Sequence, residues 1–339
     1  MPEKKVYQQD KLVYNRNRYS VIPGMETEQM NIRTKQFQIL TDIELVWKLM
    51  TDVYDHEESN GPAAPFFEYA VISSWLNKDY LRQNRFWLDG DLPVGFVFYE
   101  QPESATYFVL RPGYEFLAGD MIAYAETAYP VFSEPHELVL VSGQKALIRE
   151  ALSRGYEVAY EEQEYVFDFR KGKLDYPLPE GYHFVDARTS DPLKSAKCLW
   201  DGFNSEEMGP FRDWDIPTRN YGLSPHELYQ NVLGATISPS PHATYDYTVI
   251  IADEKEEYVC FAGMWWVPEN KLAYLEPLCT VPAHQKKGLA AAALSRHDQV
   301  MRALGAEVMT GGGNGFYRKI GYQNVHVMLH MRKTERKTL

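Results

Sequence analysis

Residues 272–322 read LAYLEPLCTVPAHQKKGLAAAALSRHDQVMRALGAEVMTGGGNGFYRKIGY. The apolar run at the start, interrupted at Glu276-Pro277, is typical of a strand, and the alanine-rich run after Gly288 is typical of an amphipathic helix. Residues 306–310 form a second strand pattern, which precedes three glycines and a short helix that Asn314 can cap. This order leaves unpaired backbone N–H groups at the start of the long helix, where the helix dipole favours a bound anion.

Two motifs in this stretch resemble the GNAT (GCN5-related N-acetyltransferase) family. The acetyl-CoA signature of that family, Gln/Arg-x-x-Gly-x-Gly/Ala, is matched by Gln285-Lys286-Lys287-Gly288-Leu289-Ala290. A second element, an Asn followed by Phe-Tyr-x-Lys-x-Gly-Phe/Tyr, is matched by Asn314 and by Phe316 to Tyr322. The two motifs occur in order, separated by one helix and one strand, which makes the signal specific. The resemblance is strong for residues 181–332 and faint in the first half.

The resemblance implies that this half of the chain binds acetyl-CoA as a co-substrate. The phosphate turn, the strand whose backbone meets the pantetheine arm and the short helix carry over to Leu278, Thr280, Val281, Gln285, Lys286, Lys287, Gly288, Leu289, Ala290, Asn314 and Tyr317. At Gly288 a β-carbon would crowd a pyrophosphate that approaches the backbone. The side chains of Lys286 and Lys287 either add charge at the phosphate site or are simply solvated.

Two ionisable side chains are candidates for proton transfer. Glu276 interrupts an apolar strand, where an unpaired carboxylate is costly, and the resemblance implies that it deprotonates the amine directly or through a water. The alternative is a buried ion pair or a carboxylate at a sheet edge. The resemblance also places Tyr317 where a tyrosine protonates the leaving thiolate, and a phenol holds its proton at neutral pH. The alternative is a tyrosine that packs beside Phe316 and Ile320.

Other polar residues in this half have less specific roles. We expect Cys279 to face a core and His297 to pack on the apolar stripe of the long helix, which consists of Ala290, Ala293, Leu294, Val300, Met301 and Leu304. The resemblance places the acceptor groove at the loop of residues 204–223. Its carboxylates and Trp214 select a cationic amine or are solvated, and the sequence leaves both open.

The first half repeats the order of elements without the motifs. Pro112 ends a strand before a helix as Pro282 does, at an offset of 170 residues. Such a long offset indicates duplicated domains. The first turn carries Glu115 and Asp120, which would repel a phosphate, and the helix of residues 146–154 has no tyrosine. We therefore predict a mixed α/β (α+β) fold of two tandem acetyltransferase-like domains. An extension covers residues 1–30, a degenerate domain 31–172 and a catalytic domain 180–339.

Local patterns predict several further elements. A strand is expected over residues 36–40, followed by a helix that Thr41 or Asp42 caps. A helix is expected over residues 67–81, a strand over 165–169, a polar linker over 170–179 and a helix that Asp191-Pro192 begins.

Composition limits the partners of the chain. The chain has 339 residues, 45% of them hydrophobic and 24% charged, which is typical of a globular protein with substantial cores. A formal net charge of −12 argues against a nucleic-acid or anionic-membrane partner. No apolar run reaches ~18 residues. Three scattered cysteines and nine histidines without ligand spacing predict neither disulfides nor a metal. We expect a cytoplasmic protein, and an oligomer is compatible with the sequence.

The predicted function is transfer of an acetyl group from acetyl-CoA to a small primary amine. The resemblance implies direct transfer in a ternary complex, with Glu276 as the base and Tyr317 as the acid. Two alternatives remain at this stage. The chain could be a non-catalytic acyl-CoA sensor, in which the phosphate turn persists but Glu276 and Tyr317 only pack. It could also be a transferase that uses a different acyl donor.

Overall fold

The computed structural model describes residues 31–73, 76–101, 105–129, 136–203, 211, 228–230, 232 and 240–333. By backbone contacts the chain divides into two compact units. The first unit takes its described residues from Met1–Ala64, Asn77–Glu161 and Met328–Leu339, and the second from Pro65–Leu76 and Glu162–Val327. The domain boundaries given above stay a prediction, and the extension of residues 1–30 lies outside the described residues.

The helices and strands alternate as in a mixed α/β fold. In chain order they are β1 (Ile32–Gln36), α1 (Ile39–Val53), α2 (Ala64–Ile72), β2 (Arg85–Asp89), β3 (Leu92–Gln101), β4 (Ala105–Leu110), α3 (Ala118–Ala128), β5 (Glu137–Val141), α4 (Lys145–Ser153), β6 (Tyr156–Asp168), β7 (Tyr182–Val185), α5 (Pro192–Gly202), β8 (Val249–Asp253), β9 (Tyr258–Val267), β10 (Leu272–Thr280), α6 (Leu289–Leu304), β11 (Val308–Thr310), α7 (Gly315–Lys319) and β12 (Asn324–Lys333).

Each unit contains one parallel strand pair in an otherwise antiparallel sheet. In the first unit β1 to β4 pair antiparallel in chain order, β4 pairs parallel with β5, and β5 pairs antiparallel with the end of β12. In the second unit β7 to β10 pair antiparallel in chain order, β10 pairs parallel with β11, and β11 pairs antiparallel with the end of β6. The shared pattern confirms the predicted tandem fold.

The second unit has its main core between α6 and the sheet. The helix begins after Gly288 and ends at Gly305, both with positive φ, and Ala293, Leu294 and Met301 are buried as predicted. Leu304 is exposed, so its place in the predicted stripe was wrong. On the other side of the sheet α5 begins as predicted, since the Asp191 carboxylate accepts from the N–H groups of its first turn.

The polar segment after β6 is packed along α6 rather than forming a free linker. Leu174 is buried, and its N–H donates to Oδ2 of Asp298 at 2.9 Å. The N–H of Tyr176 donates to Oγ of Ser295 at 2.9 Å. Arg302 donates to Asp298 and also to the carbonyl of Gly172. The segment was predicted to be a linker because its residues are polar. Its backbone is nevertheless held in place by hydrogen bonds to buried side chains on α6.

Three predicted boundaries were wrong for local reasons. The strand expected at residues 36–40 ends at Gln36, because the apolar Ile39 and Leu40 are exposed on the first turn of α1. That turn begins before Thr41, and the Asp42 carboxylate accepts from the N–H of Gln38 from inside the helix. The helix expected at residues 67–81 is α2 followed by a separate 3-10 turn that Asn77 caps.

The strand predicted over residues 165–169 begins earlier, at Tyr156. Residues 157–163 of β6 are exposed. Because these residues lack an alternation of apolar and polar side chains, the strand gives no periodic signal there.

We expect Asp298→Ala to destabilise the protein by about 3 kcal/mol, because it leaves the Leu174 N–H and the Arg302 guanidinium without their acceptor. Urea unfolding of the whole chain measures the loss. Asp175→Ala is the control, since that carboxylate is largely exposed and faces Lys173 at 3.5 Å; its effect should stay within about 0.5 kcal/mol. Equal effects of the two changes would contradict the role given to Asp298.

Candidate active site

A bulge in β10 is the first feature of the site. Leu275 pairs with Met264 and Leu278 with Ala262, so Glu276 and Pro277 together face the single residue Gly263. A β-carbon at Gly263 would lie 2.1 Å from the carbonyl oxygen of Glu276, a distance that no side chain tolerates. The glycine is therefore a condition for the bulge that contains the predicted base.

The parallel strands β10 and β11 part beside this bulge. They pair at Leu272 with Val308 and at Ala273 with Met309, and the next contact is a bond from the Leu275 N–H to Oγ1 of Thr310 at 2.8 Å. There β11 ends, whereas β10 continues to Thr280. Within the described part of the chain, no strand pairs with this edge of β10 from Leu278 to Thr280. The edge offers backbone groups to a ligand.

The predicted phosphate turn lies at the far end of the same edge. A 3-10 turn, Pro282–His284, leads from β10 to Gln285, whose Nε2 donates to the carbonyl of Thr280 at 3.1 Å. Lys286 and Gly288 have positive φ values of 61° and 89°. Such values favour glycine at position 288, and the nearest described atom to a β-carbon there is Cγ of Pro179 at 3.9 Å. The turn therefore leaves open space before the first N–H groups of α6.

A hydrogen-bonded chain of side chains flanks this turn. Nζ of Lys287 donates to the phenol oxygen of Tyr182 at 3.2 Å, and that hydroxyl lies 3.0 Å from Nδ1 of His284. Burial and the charge of Lys287 lower the pKa of His284. The neutral ring can therefore accept a hydrogen bond from the Tyr182 hydroxyl. Lys287 is thereby held beside the turn, and its charge stays exposed for an anion.

Tyr317 and Glu276 lie near one another at the opening between β10 and β11. Asn314 caps α7 as predicted, with Oδ1 accepting from the N–H of Phe316 at 2.8 Å. This places Tyr317 in the first turn, where its side chain is buried. Burial, the charge of Glu276 and the charge of Glu164 raise the pKa of Tyr317, against a backbone hydrogen bond from Gly312. The phenol therefore keeps its proton throughout the neutral range.

The corresponding opening in the first unit is closed by a side chain. Gln144 precedes α4 as Asn314 precedes α7, again at an offset of 170 residues. Its Oε1 accepts from the N–H of Val141 on β5 at 3.0 Å, and its Nε2 donates to the carbonyl of Phe108 on β4 at 2.7 Å. The carbonyl of Asn60 accepts from the N–H of Leu110 at 3.0 Å. Protein atoms thus use the backbone groups that stay open in the second unit.

The turn before α3 is also occupied from within. Oε1 of Glu115 accepts from the N–H of Gly113 at 3.0 Å, and Asp120 accepts from Nε1 of Trp87 at 2.6 Å. A cavity of about 190 Å³ beside Gln144 is smaller than most ligand pockets, which span roughly 300–1,000 Å³. Leu147 stands where the second unit has Tyr317. At the described positions that correspond to the second unit's opening, the first unit thus has only a small cavity and no phenol.

Other candidates are accounted for by burial. Cys279 is buried, and its Sγ lies 3.7 Å from the carbonyl of Cys198. His297 is buried, and its Nε2 donates to the carbonyl of Tyr247 at 2.9 Å. In the described ranges no three His, Cys, Asp or Glu side chains are grouped to hold a metal ion. The predicted acceptor loop, residues 204–223, lies outside the described residues except for Phe211.

Known proteins resemble this chain in a family-model match and in the fold. Residues 210–322 match the model of the Acetyltransferase (GNAT) family. The match covers both motifs and a third of the chain. Among proteins with curated descriptions, none matches the chain.

Solved GNAT structures resemble both halves. A tandem GNAT protein from the clavulanic acid biosynthesis pathway is 11% identical, with 88% of this chain and 97% of that chain covered and a TM-score of 0.55. A GCN5-related N-acetyltransferase from Sphaerobacter thermophilus is 13% identical, with 89% and 95% covered and a TM-score of 0.52. A GNAT-family acetyltransferase from Colwellia psychrerythraea is 9% identical, with 89% and 100% covered and a TM-score of 0.54. At these identities the likeness shows the fold, which is the tandem GNAT fold.

The sequence analysis did not identify three residues that lie near the two openings. Glu164 acts electrostatically on Tyr317 from a half-buried position in β6, directly after the exposed residues 157–163. Gly263 could have been noticed as the glycine inside an apolar strand that precedes Glu276. Gln144 could have been noticed by its offset from Asn314.

In the part of the chain that the structure describes, no helix is both long and apolar enough to cross a membrane.

We expect His297 to make stability depend on pH. Burial lowers its pKa from 6.5 to about 4, and among the described residues its Nδ1 has no hydrogen-bond partner. Between these two pKa values the unfolded chain therefore binds a proton at His297 and the folded chain does not. The contribution of His297 to the free energy of unfolding is fully present above pH 6.5 and is lost as the pH falls towards 4. Between pH 7 and pH 5 the loss is about 2 kcal/mol.

The variant His297→Gln tests this dependence. Glutamine can keep a donor for the Tyr247 carbonyl but does not titrate. Urea unfolding of the wild type should lose about 2 kcal/mol more than the variant between pH 7 and pH 5. Parallel pH dependences in the two proteins would show that His297 is not buried in its neutral form.

Proposed function

We propose that the chain transfers an acetyl group from acetyl-CoA to a small primary amine, within its second half. One observation carries the proposal. The edge of β10 from Leu278 to Thr280 has no strand partner in the described structure, has Glu276 and Tyr317 at one end, and leads at the other to the Gly288 turn that begins α6. An acyl donor with a long polar arm and an anionic end fits such an edge.

The chain would hold acetyl-CoA mainly through its backbone. The first N–H groups of α6 have no intrahelical partner and suit a pyrophosphate, and Lys287 lies beside them. Leu278, Thr280 and Val281 provide the strand edge, and Gln285 braces the turn against Thr280. Lys286, Leu289 and Ala290 contribute N–H groups rather than side chains. The remaining contacts would come from the first turn of α7, at Asn314 and Tyr317.

Two proton transfers complete the reaction. When bound, acetyl-CoA supplies a thioester, whose carbonyl carbon forms a bond to the amine nitrogen before the C–S bond breaks. Glu276 takes a proton from the amine, directly or through a water, and so frees the lone pair that attacks. Tyr317 gives its proton to the departing sulfur. N–H groups of the β10 edge would stabilise the negative oxygen between these steps.

Direct transfer is favoured over a covalent acetyl-enzyme. The three cysteines lie in the core of the second unit, and all three are buried. Burial raises the pKa of Cys260 to about 12, whereas nucleophilic catalysis needs a thiolate. A ternary complex of acetyl-CoA and the amine accounts for the reaction without a cysteine.

The charges near Tyr317 favour a cationic acceptor. Glu276 and Glu164 both act on the phenol, and two carboxylates attract an ammonium group by Coulomb forces. The first unit would bind no acyl-CoA, because Gln144 and Glu115 use the backbone groups that a ligand would need.

We expect calorimetry to find one acetyl-CoA site per chain. The change Gly288→Glu should abolish binding, because it puts a charged side chain into the open space before α6. Gly113→Glu is the matched control: Gly113 also has a φ of 89° and, among the described residues, no atom within 4 Å of its β-carbon position. That variant should carry the same backbone strain and bind normally. Two equivalent sites, or wild-type binding by Gly288→Glu, would overturn the assignment.

Removal of the proposed acid should spare binding and slow turnover. With the best acceptor from a panel of monoamines, diamines and amino sugars, Tyr317→Phe should lower kcat by about 10²-fold, because the leaving thiolate loses its proton donor. Glu276→Gln should lower it similarly. Acetyl-CoA affinity should stay within about twofold of the wild type, since neither hydroxyl nor carboxylate is proposed to hold the phosphates.

Tyr322→Phe is the control for Tyr317→Phe. The two rings lie 5.1 Å apart, and in the described structure the Tyr322 hydroxyl has no hydrogen-bond partner. Its removal should leave kcat unchanged. If the wild type binds acetyl-CoA but acetylates no amine of the panel, the chain is an acyl-CoA sensor. If turnover requires another acyl thioester, the donor has been wrongly assigned.

A further inference from the structure

The three glycines after β11 belong to neither motif, yet they lie against the ring of Tyr317. A β-carbon at Gly311 would be 2.7 Å from Cδ1 and 2.9 Å from Cε1 of that ring. A β-carbon at Gly312 would be 3.2 Å from Cε2 and 3.6 Å from the phenol oxygen. The backbone of the two glycines thus lies so close to both edges of the ring that neither position has room for a side chain.

The same loop is fixed on its other side to the sheet. The N–H of Tyr165 donates to the carbonyl of Gly312 at 3.3 Å. A β-carbon at Gly313 would lie 2.6 Å from the carbonyl oxygen of Gln163. Thr310, just before the loop, accepts from the N–H of Leu275. The loop therefore cannot move away from the ring without breaking contacts to both β6 and β10.

We propose that Gly311 and Gly312 are positioning residues, which hold the phenol of Tyr317 at the opening between β10 and β11. This inference rests on the proposed function, in which that phenol protonates the leaving thiolate. The backbone of Gly312 also lowers the pKa of the phenol, against the opposing effects of burial and of the charges of Glu276 and Glu164. The glycines thereby fix where the proton is delivered and ease its departure.

Methyl groups at these glycines test the proposal. Gly311→Ala should lower kcat by about 10–100-fold, because a displacement of the ring by an ångström is enough to misplace the proton donor. Gly312→Ala, whose contacts are longer, is the milder second variant and covers the case in which Gly311→Ala does not fold. In both, the KM for acetyl-CoA should change less than about twofold. Gly172→Ala is the control, since it lies outside the proposed site and its β-carbon would make only ordinary contacts, 3.4 Å from Cζ and 3.5 Å from Cε2 of Phe167, and it should behave as wild type.

A double-mutant cycle with Tyr317→Phe separates positioning from general damage. If the glycines act through the phenol, Gly311→Ala or Gly312→Ala should cause no further loss of kcat in the Tyr317→Phe background. An equal loss in both backgrounds would mean that the glycines only support the fold, and the proposal would be wrong. Wild-type kcat in both glycine variants, with Tyr317→Phe impaired, would also overturn it while leaving the proposed function intact. If Tyr317→Phe itself keeps wild-type kcat, the acid assignment fails first and the positioning role with it.

Discussion

The candidate site depends on a missing side chain at Gly263. Because the carbonyl of Glu276 comes within 2.1 Å of the position that a β-carbon would take, β9 and β10 can approach only with glycine there. The approach accommodates the two-residue bulge, and the bulge occurs where β10 and β11 part. The unpaired edge, the position of Glu276 and its nearness to Tyr317 all follow from this one close contact between backbones.

Sequence reasoning succeeded where one residue type has a single physical reason to be present. Asp191-Pro192 was predicted to begin a helix and Asn314 to cap one, and both side chains do accept from helix N–H groups. Gly288 has the positive φ that a glycine allows at the start of α6. The tandem mixed fold was predicted from the resemblance of the two motifs and from the repeated order of elements, and it is confirmed by the strand pairing of each unit and by the solved structures.

Prediction failed where the deciding partner is distant in the chain. The segment after β6 looks like a linker because Asp298 and Ser295, more than a hundred residues later, bind its backbone. Glu164 sits in a strand without alternation, so nothing local connects it to Tyr317. The pattern of side chains along the sequence predicts local secondary structure. These contacts depend instead on how the fold brings distant segments together.

The two units show how little separates an open edge from a closed one. The residue that precedes the short helix is Asn314 in one unit and Gln144 in the other. Asparagine is shorter by one methylene and caps its own helix, whereas glutamine reaches from β5 to β4 and satisfies a backbone group on each. Buried backbone groups must be paired by something. In the first unit that partner is a side chain, whereas in the second the edge from Leu278 to Thr280 has no strand partner among the described residues. An open strand edge of this kind is a physical argument for a binding site.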